Sequence, residues 1–344
     1  MTSSPLAAAL RPGPRRGTSS GLLRWGAVRS TRVSPAAFAW IASLAVVCFA
    51  LLVATGGAVR LTGSGLGCPD WPSCYAHRFT AAASFHPIVE FSNRVVTVAV
   101  TVVSAVAFVA AWRREPVRRD LVVLSGGLVA GIVAQIVLGG LVVLFRLNPY
   151  LVALHFLLTF AVLGDALVLA HLARSPRTPR EPLVGRDLLW LSRLELGTFA
   201  LLVTIGTVVT GAGPHAGGPG AKRIDVAFRD IAELHSTVAL FLIGGVLATL
   251  FALHQAGAPA PVQRRARRLL EVLALQGALG YMQYFLHDAA TVVELHLIGA
   301  TIAWCAFVGY YLSLHRHPAT APAAGLGAEE PAALLRPVAG VRAP

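Results

Sequence analysis

The sequence predicts an all-α polytopic membrane protein, with eight transmembrane helices arranged as two tandem four-helix bundles related by a pseudo-twofold axis. Three observations predict this fold. Hydrophobic residues make up 56% of the 344-residue chain and charged residues only 13%, which is too little charge for the surface of a soluble domain. The apolar residues form runs long enough to cross a bilayer. Two motifs also recur at one fixed spacing.

The predicted spans each hold about 20 residues, the length that crosses the hydrocarbon core of a bilayer. They lie at 38–58, 87–111, 121–144, 150–171, 189–211, 229–253, 268–286 and 291–313. They divide the chain into a first half at 37–172 and a second half at 189–316, joined by a cytoplasmic linker at 173–188. Residues 1–36 and 317–344 are predicted to be disordered cytoplasmic tails, because they offer little that could bury a core.

The basic residues predict the orientation of the chain in the membrane. Of the 29 Lys and Arg residues, 22 fall on the side that holds both termini and 7 on the other side. The positive-inside rule therefore puts both termini in the cytoplasm. We expect a bacterial plasma membrane, and the mitochondrial inner membrane fits the composition less well. The net charge of +13 is explained by topology, and without a basic stripe that alternates with aromatic residues no nucleic-acid partner is expected.

Two short motifs recur with the same offset of 141 residues. The motif QxxLG at 135–139 recurs at 276–280, and VxLH at 152–155 recurs at 293–296. Two matches at one offset predict that the second half is a duplicate of the first. Because each half has an even number of spans, the two halves share one orientation and are related by an axis along the membrane normal.

Three histidines lie five to seven residues below the outer end of an even-numbered predicted helix: His155, His235 and His296. That depth is roughly 8–10 Å, inside the edge of the hydrocarbon. An unpaired imidazole there is unfavourable, so a ligand or a partner is expected. His235 and His296 lie on two helices of the second half and could bind one heme iron from both faces. Hydrogen bonding between helices is the alternative, and the spacing alone does not separate the two.

Three carboxylates lie at the same depth in the predicted helices: Glu90, Glu233 and Glu294. A buried carboxylate in a membrane is unfavourable unless paired, so each is a functional candidate. Glu90 is the best candidate for chemistry, because its half lacks a complete histidine pair and His86 lies one turn above it. Glu294 is interpreted as structural, since a residue two positions from His296 cannot share its helix face.

Polar residues are also predicted at the outer rim. Arg60, Arg94 and Arg146 could bind the propionates of a heme, with snorkelling at the membrane interface as the more common alternative. Cys68 and Cys74 share the first outer loop. That compartment is oxidising in bacteria, which favours a disulfide over two free thiols.

Seven stretches of the chain together resemble the heme A synthase family. They occur in family order, cover about 50 to 310, and are most specific in the first outer loop. The stretches are GGAVRLTGSGLGCPDWPSC at 56–74, IVEFSNR at 88–94, GG at 139–140, LNP at 147–149 with HF at 155–156, TGAGPHAG at 210–217, AELH at 232–235 and VELH at 293–296.

The resemblance implies an oxidoreductase that converts the C8 methyl group of heme O into the formyl group of heme A by successive hydroxylation. Heme O would come from a heme O synthase, and heme A would serve the assembly of cytochrome oxidase. The resemblance also implies a heme b whose two axial ligands fall on His235 and His296. On the substrate side, the family's histidine falls on His155 and its essential glutamate on Glu90.

One position departs from the family pattern. Many members have a histidine where this chain has Asn93, and an asparagine is a poor ligand for iron. The substrate iron would then be bound by His155 alone, or by His155 with His86 as a replacement, and we favour the first. The family's loop cysteines fall on Cys68 and Cys74.

Two other functions are left open by the sequence. A membrane b-type cytochrome that acts as a quinol or ferric reductase would require a histidine pair in each half, and Asn93 argues against it. A non-catalytic heme transporter or chaperone would bind heme and release it unchanged. The identity of the electron donor and assembly into a homo-oligomer are also left open.

Overall fold

The structure, a computed structural model, describes residues 32–318 except 216 and 219. Eight α-helices dominate this part of the chain, which confirms the predicted all-α fold; most of the two predicted tails lies outside the described residues. Two short strands, β1 (Glu181–Pro182) and β2 (His315–Arg316), pair antiparallel. The helices are α1 (Pro35–Leu61), α2 (Phe85–Arg113), α3 (Arg119–Leu144), α4 (Pro149–Arg174), α5 (Arg186–Ala212), α6 (Phe228–Gln255), α7 (Ala260–Phe285) and α8 (Ala290–Ser313).

Seven of the described helices are long and apolar enough to cross a membrane, so the chain is a multi-pass membrane protein. They also point large apolar side chains such as Trp40, Leu51 and Val98 outward, as lipid-facing surfaces do. The exception is α7, whose first three turns hold four arginines and Glu271. Its crossing of the bilayer stays a prediction.

Local sequence sets the start of two helices. Ser34 caps α1 with its side-chain oxygen at 3.2 Å from a backbone N–H of the first turn, and Pro35 follows at the first helical position. Asn148 and Pro149 repeat this arrangement at the start of α4, with a capping distance of 3.0 Å. Both pairs suit a helix N-terminus, because the cap satisfies a free N–H and proline lacks one.

The four helices of the first half pack in a closed ring, whereas those of the second half pack mainly on their neighbours in sequence. In the first half, α1 packs on α2 and α4, and α3 packs on the same two helices. In the second half, α5 packs on α6, α6 on α7 and α7 on α8. Side chains close the gap between α5 and α8, where the Phe199 and Phe307 ring centroids lie 5.3 Å apart. Helices α1 and α4 contact α8, and α4 also contacts α5; a pseudo-twofold axis between the halves stays a prediction.

The turn before the last helix of each half has the same backbone conformation. Arg146 and Leu147 have φ values of 52° and 59°, and His287 and Asp288 have φ values of 54° and 56°. Consecutive left-handed residues other than glycine are uncommon. The two turns are separated by the same 141 residues as the repeated motifs, so the repeat extends to local backbone geometry.

Candidate functional site

The imidazoles of His235 on α6 and His296 on α8 face each other in the outer part of the second half. Their ring centroids lie 6.4 Å apart, with an angle of 65° between the ring planes. A histidine nitrogen lies roughly 2 Å from a metal that it binds. The spacing therefore suits one metal atom between the two rings, and it fits the two axial positions of a heme iron.

A glycine on a neighbouring helix faces each of the three histidines singled out in the sequence. A Cβ atom placed on that glycine would lie 3.0 to 3.3 Å from the histidine Cε1 in the pairs Gly280–His296, Gly206–His235 and Gly139–His155. Such contacts are tighter than side chains normally make. Gly139 and Gly280 end the repeated QxxLG motif, so one role of this motif is to leave room for an imidazole on the next helix.

The glutamine of the same motif contacts the histidine from a second direction. Gln276 Nε2 donates to the His296 carbonyl at 2.8 Å and lies 3.1 Å from His296 Nδ1. Gln135 Nε2 donates to the His155 carbonyl at 3.1 Å. His155 Nδ1 is buried and has no hydrogen-bond partner among the described residues. A buried polar atom without a partner is unfavourable, so the surroundings of His155 fit the binding of a further group.

The first half brings only one of the predicted histidines to this depth. Asn93 Oδ1 accepts a hydrogen bond from Thr55 Oγ1 at 2.8 Å, so α1 holds the asparagine side chain. His86 lies seven residues above Asn93 on α2, roughly 10 Å along the helix. Its Nδ1 atom lies 3.0 Å from Ser64 Oγ. These contacts keep His86 near the outer end of α2, away from the depth of Asn93.

Glu90 is buried on α2, with 5% of its surface exposed, and its two carboxylate oxygens have different partners. Oε2 accepts the backbone N–H of Cys68 at 2.8 Å, and Oε1 accepts from Arg94 Nη2 at 2.7 Å. Cys68 is joined to Cys74 by a disulfide, which confirms the predicted pairing. The glutamate is therefore attached directly to the disulfide loop.

Arg94 holds the disulfide loop against α2. Apart from its ion pair with Glu90, its guanidinium donates to four backbone carbonyls of the loop. These are Cys68 at 3.2 Å, Asp70 at 3.1 Å, Pro72 at 3.3 Å and Ser73 at 3.2 Å. The sequence predicted Arg94 at the outer rim but did not reveal this function. Its partners are backbone carbonyls, which every residue has, so the residue types of the loop do not indicate the contact.

Arg60 joins the two halves at the outer end of α1. Its Nε donates to the His215 carbonyl at 2.7 Å, and its Nη2 donates to the Thr210 carbonyl at 2.8 Å. His215 Nε2 in turn lies 2.7 Å from the Asp288 carbonyl, in the turn before α8. Arg146 is exposed in the corresponding turn of the first half.

An outer cavity of about 420 Å³ lies beside this junction, between the first outer loop and the α5–α6 loop. Arg60, Thr62, His86 and His215 line it. The cavity therefore contains Arg60, which the sequence placed at the outer rim, and His86, which it gave as a possible replacement ligand. It also contains His215, which the sequence did not single out.

Glu294 lies between the two halves, on the opposite side of α8 from His296. Its carboxylate packs against Gly57 of α1, where an added Cβ would lie 2.6 Å from Oε2. Oε2 is buried and has no hydrogen-bond partner in the part of the chain that the structure describes. The tight packing explains why α1 has a glycine at this position.

Comparisons with known proteins point to one family. A family model described as cytochrome oxidase assembly protein matches residues 39–217, more than half of the chain. Curated relatives are heme A synthases of Bacillus pumilus, 37% identical over 36% of this chain and 40% of the relative, and Geobacillus kaustophilus, 34% identical over 40% and 42%. A heme A synthase of Listeria welshimeri is 28% identical over 49% of this chain and 55% of the relative. The chain thus spans about half or less of the length of the curated relatives it matches.

Proposed function

The chain belongs to the cytochrome oxidase assembly protein family, and from this premise we propose that it is a heme A synthase, which oxidises the C8 methyl group of heme O to a formyl group. One observation supports this activity above the others. The two halves are chemically unequal at this depth: the second has two facing imidazoles, whereas the first has one imidazole, His155, and the buried carboxylate Glu90. Such inequality suits one resident heme and one reacting heme.

We propose that His235 and His296 bind a heme b in the second half. When bound, this heme would supply a centre for electron transfer. The protein contributes the position of both ligands. Gly206 and Gly280 leave space for the imidazoles, and Gln276 fixes the backbone and ring of His296.

In the first half, His155 would bind the iron of the substrate heme O. Asn93 stands where many relatives have a histidine and is bonded to Thr55, so α2 offers no imidazole at the depth of His155. Glu90 would then stabilise positive charge that develops at the methyl carbon, or accept and donate a proton during the two hydroxylations. Arg94 and the N–H of Cys68 prevent the carboxylate from turning away.

We further propose that both termini face the cytoplasm of a bacterial cell. The end of the bundle that carries the start of α1 and the end of α8 also holds most of the arginines. The positive-inside rule assigns that end to the cytoplasm. The disulfide loop and the outer cavity then face the oxidising side.

The activity is tested by expressing the full chain together with a heme O synthase and identifying the extracted pigments as heme B, O or A. We expect heme B and newly formed heme A. Cells that express only the heme O synthase serve as the control. Recovery of heme B and heme O without heme A would contradict the proposal and would favour a reductase or a heme carrier.

The glycine beside His296 provides a second test. Replacing Gly280 by alanine would put a Cβ 3.0 Å from the imidazole, so the ring must shift. We expect heme b affinity to fall about tenfold, with an altered low-spin absorption spectrum. Gly277→Ala on the same helix is the matched control, because its Cβ would meet only Ile243 at 3.5 Å, an ordinary contact. Equal spectra for the two variants would argue against His296 as a ligand.

A further inference from the structure

A second cavity, also of about 420 Å³, opens at the end of the bundle opposite the disulfide loop. Its volume lies within the range of roughly 300–1,000 Å³ that is typical of small-molecule sites. Three chain segments form the wall: the start of α3, the residues that follow α4 and the residues that follow β2. The lining includes Arg118, Arg119, Leu172, Arg177, Arg180 and His317.

Three of the arginines in this basic cavity carry uncompensated charge. Arg119, Arg177 and Arg180 are exposed, and none has an ion-pair or hydrogen-bond partner among residues 32–318 as described. Two of them lie in the segment after α4 and one begins α3, so they converge from separate parts of the chain. A cavity with three free guanidinium groups attracts an anion.

The fourth arginine, Arg118, has a structural function and also forms an ion pair with Asp120, the acidic residue in the lining. Arg118 is buried, and its Nη2 lies 2.6 Å from Asp120 Oδ2. Its Nη1 donates to the carbonyls of Leu172 at 2.9 Å and Ser175 at 2.6 Å. Because Asp120 is already paired with Arg118, its carboxylate does not neutralise the other three arginines.

His317 lines the same wall and has one ring nitrogen without a partner. Its Nδ1 lies 2.9 Å from the Thr178 carbonyl, and Thr178 Oγ1 donates to the Pro318 carbonyl at 2.8 Å. The other ring nitrogen, Nε2, is buried and has no hydrogen-bond partner within the described chain. A buried nitrogen of this kind is unfavourable unless another group completes its hydrogen bonding.

The ends of α3 and α4 beside the cavity are long enough to reach the lipid headgroups. Helices α3 and α4 have 26 residues each, which corresponds to about 39 Å at 1.5 Å per residue. The hydrocarbon core is about 30 Å thick, so the helix ends extend into the headgroup layer on each side. A phosphate in that layer lies at the depth of Arg119 and within reach of the segment after α4.

We propose that this basic cavity binds the phosphodiester headgroup of an acidic phospholipid. The planar guanidinium groups of arginine match the oxygens of a phosphate, and basic residues next to transmembrane helices are attracted to anionic lipids. The ligand chemistry is a phosphate, and its source is the lipid of the surrounding leaflet. The proposal is independent of heme binding and of heme A formation.

The experiment is native mass spectrometry of the full chain in detergent, titrated with phosphatidylglycerol and, in parallel, with phosphatidylcholine. The test variant carries Arg119→Gln, Arg177→Gln and Arg180→Gln. The matched control carries Arg264→Gln, Arg267→Gln and Arg268→Gln, which remove three exposed charges from the same end of the bundle but outside the cavity. A second test variant changes only Arg177 and Arg180, which lie outside every helix, so that helix formation is unaffected.

We expect the wild type and the control to retain phosphatidylglycerol in preference to phosphatidylcholine. Each arginine near an anionic headgroup contributes about a fivefold gain in binding, so the triple test variant should bind at least about 20-fold more weakly. Equal losses in the test and control variants would overturn the site. Displacement of the lipid by millimolar inorganic phosphate would overturn the lipid as the source and assign the cavity to free phosphate.

Discussion

Replacing Glu90 by glutamine is expected to abolish heme A formation while leaving the heme of the second half in place. The amide keeps the size of the side chain and can still accept the N–H of Cys68, but it loses the negative charge. General acid–base or electrostatic catalysis by one group contributes about 10²–10⁴-fold in rate. We therefore expect at least about a hundredfold loss, measured as heme A formed per bound heme b.

The matched control for this variant is Glu233→Gln. Glu233 is an exposed carboxylate near the outer end of α6, paired with Arg229 at 2.9 Å, so it offers the same chemical change without burial. It should retain full activity. Heme A formation by the Glu90 variant at the wild-type rate would show that the carboxylate has no part in the reaction.

Replacing Arg94 by glutamine should have the second largest effect, because it releases the disulfide loop and leaves the Glu90 carboxylate without its cation. Breaking a buried ion pair costs roughly 3–5 kcal/mol. Since Arg94 is partly exposed, we expect about 2 kcal/mol and a lower thermal midpoint. Activity should fall at least about tenfold, with the heme b spectrum unchanged.

A structural function and a positioning function of Arg94 can be separated by two comparisons. Arg78→Gln is the matched control, because among the described residues the Arg78 side chain donates to Thr80 and Ala81, near the end of the same loop, and not to α2. Arg94→Lys keeps the charge but cannot reach four carbonyls, so it should restore only part of the activity. If Arg94→Gln lowered the thermal midpoint without lowering the turnover of the folded enzyme, Arg94 would not position Glu90.

The helices could be predicted from the sequence because apolar runs of membrane length are distinctive. The predicted span at 38–58 lies within α1, and the span at 150–171 lies within α4. The prediction was least complete for α7, which begins at Ala260 rather than near residue 268. Charged residues fill its first turns, and a search for apolar runs finds only the part of a helix that faces lipid.

The candidate site was predictable in its residue types but not in its contacts. His155, His235 and His296 were predicted from their depth along the helices. The repeat could also have indicated that Gly139 lies beside His155 and Gly280 beside His296. Two sets of contacts could not be predicted. One is the hydrogen bond between Asn93 and Thr55, and the other is the set of four carbonyls that bind the Arg94 guanidinium. Both depend on how a polar side chain meets another segment, and hydrophobic periodicity carries no information about that.

The contacts that cross between the halves have a consequence for the proposed transfer of electrons between two bound hemes. Arg60 ties α1 to two carbonyls of the second half, and the indole N–H of Trp304 donates to the Phe160 carbonyl at 3.0 Å. One of these contacts lies at the outer end of the bundle and the other deeper within it, so both oppose rocking of one half against the other. Tunnelling between two porphyrins weakens steeply as their edges separate. A gap fixed at two levels would keep that rate constant as the surrounding bilayer thickens, thins or warms.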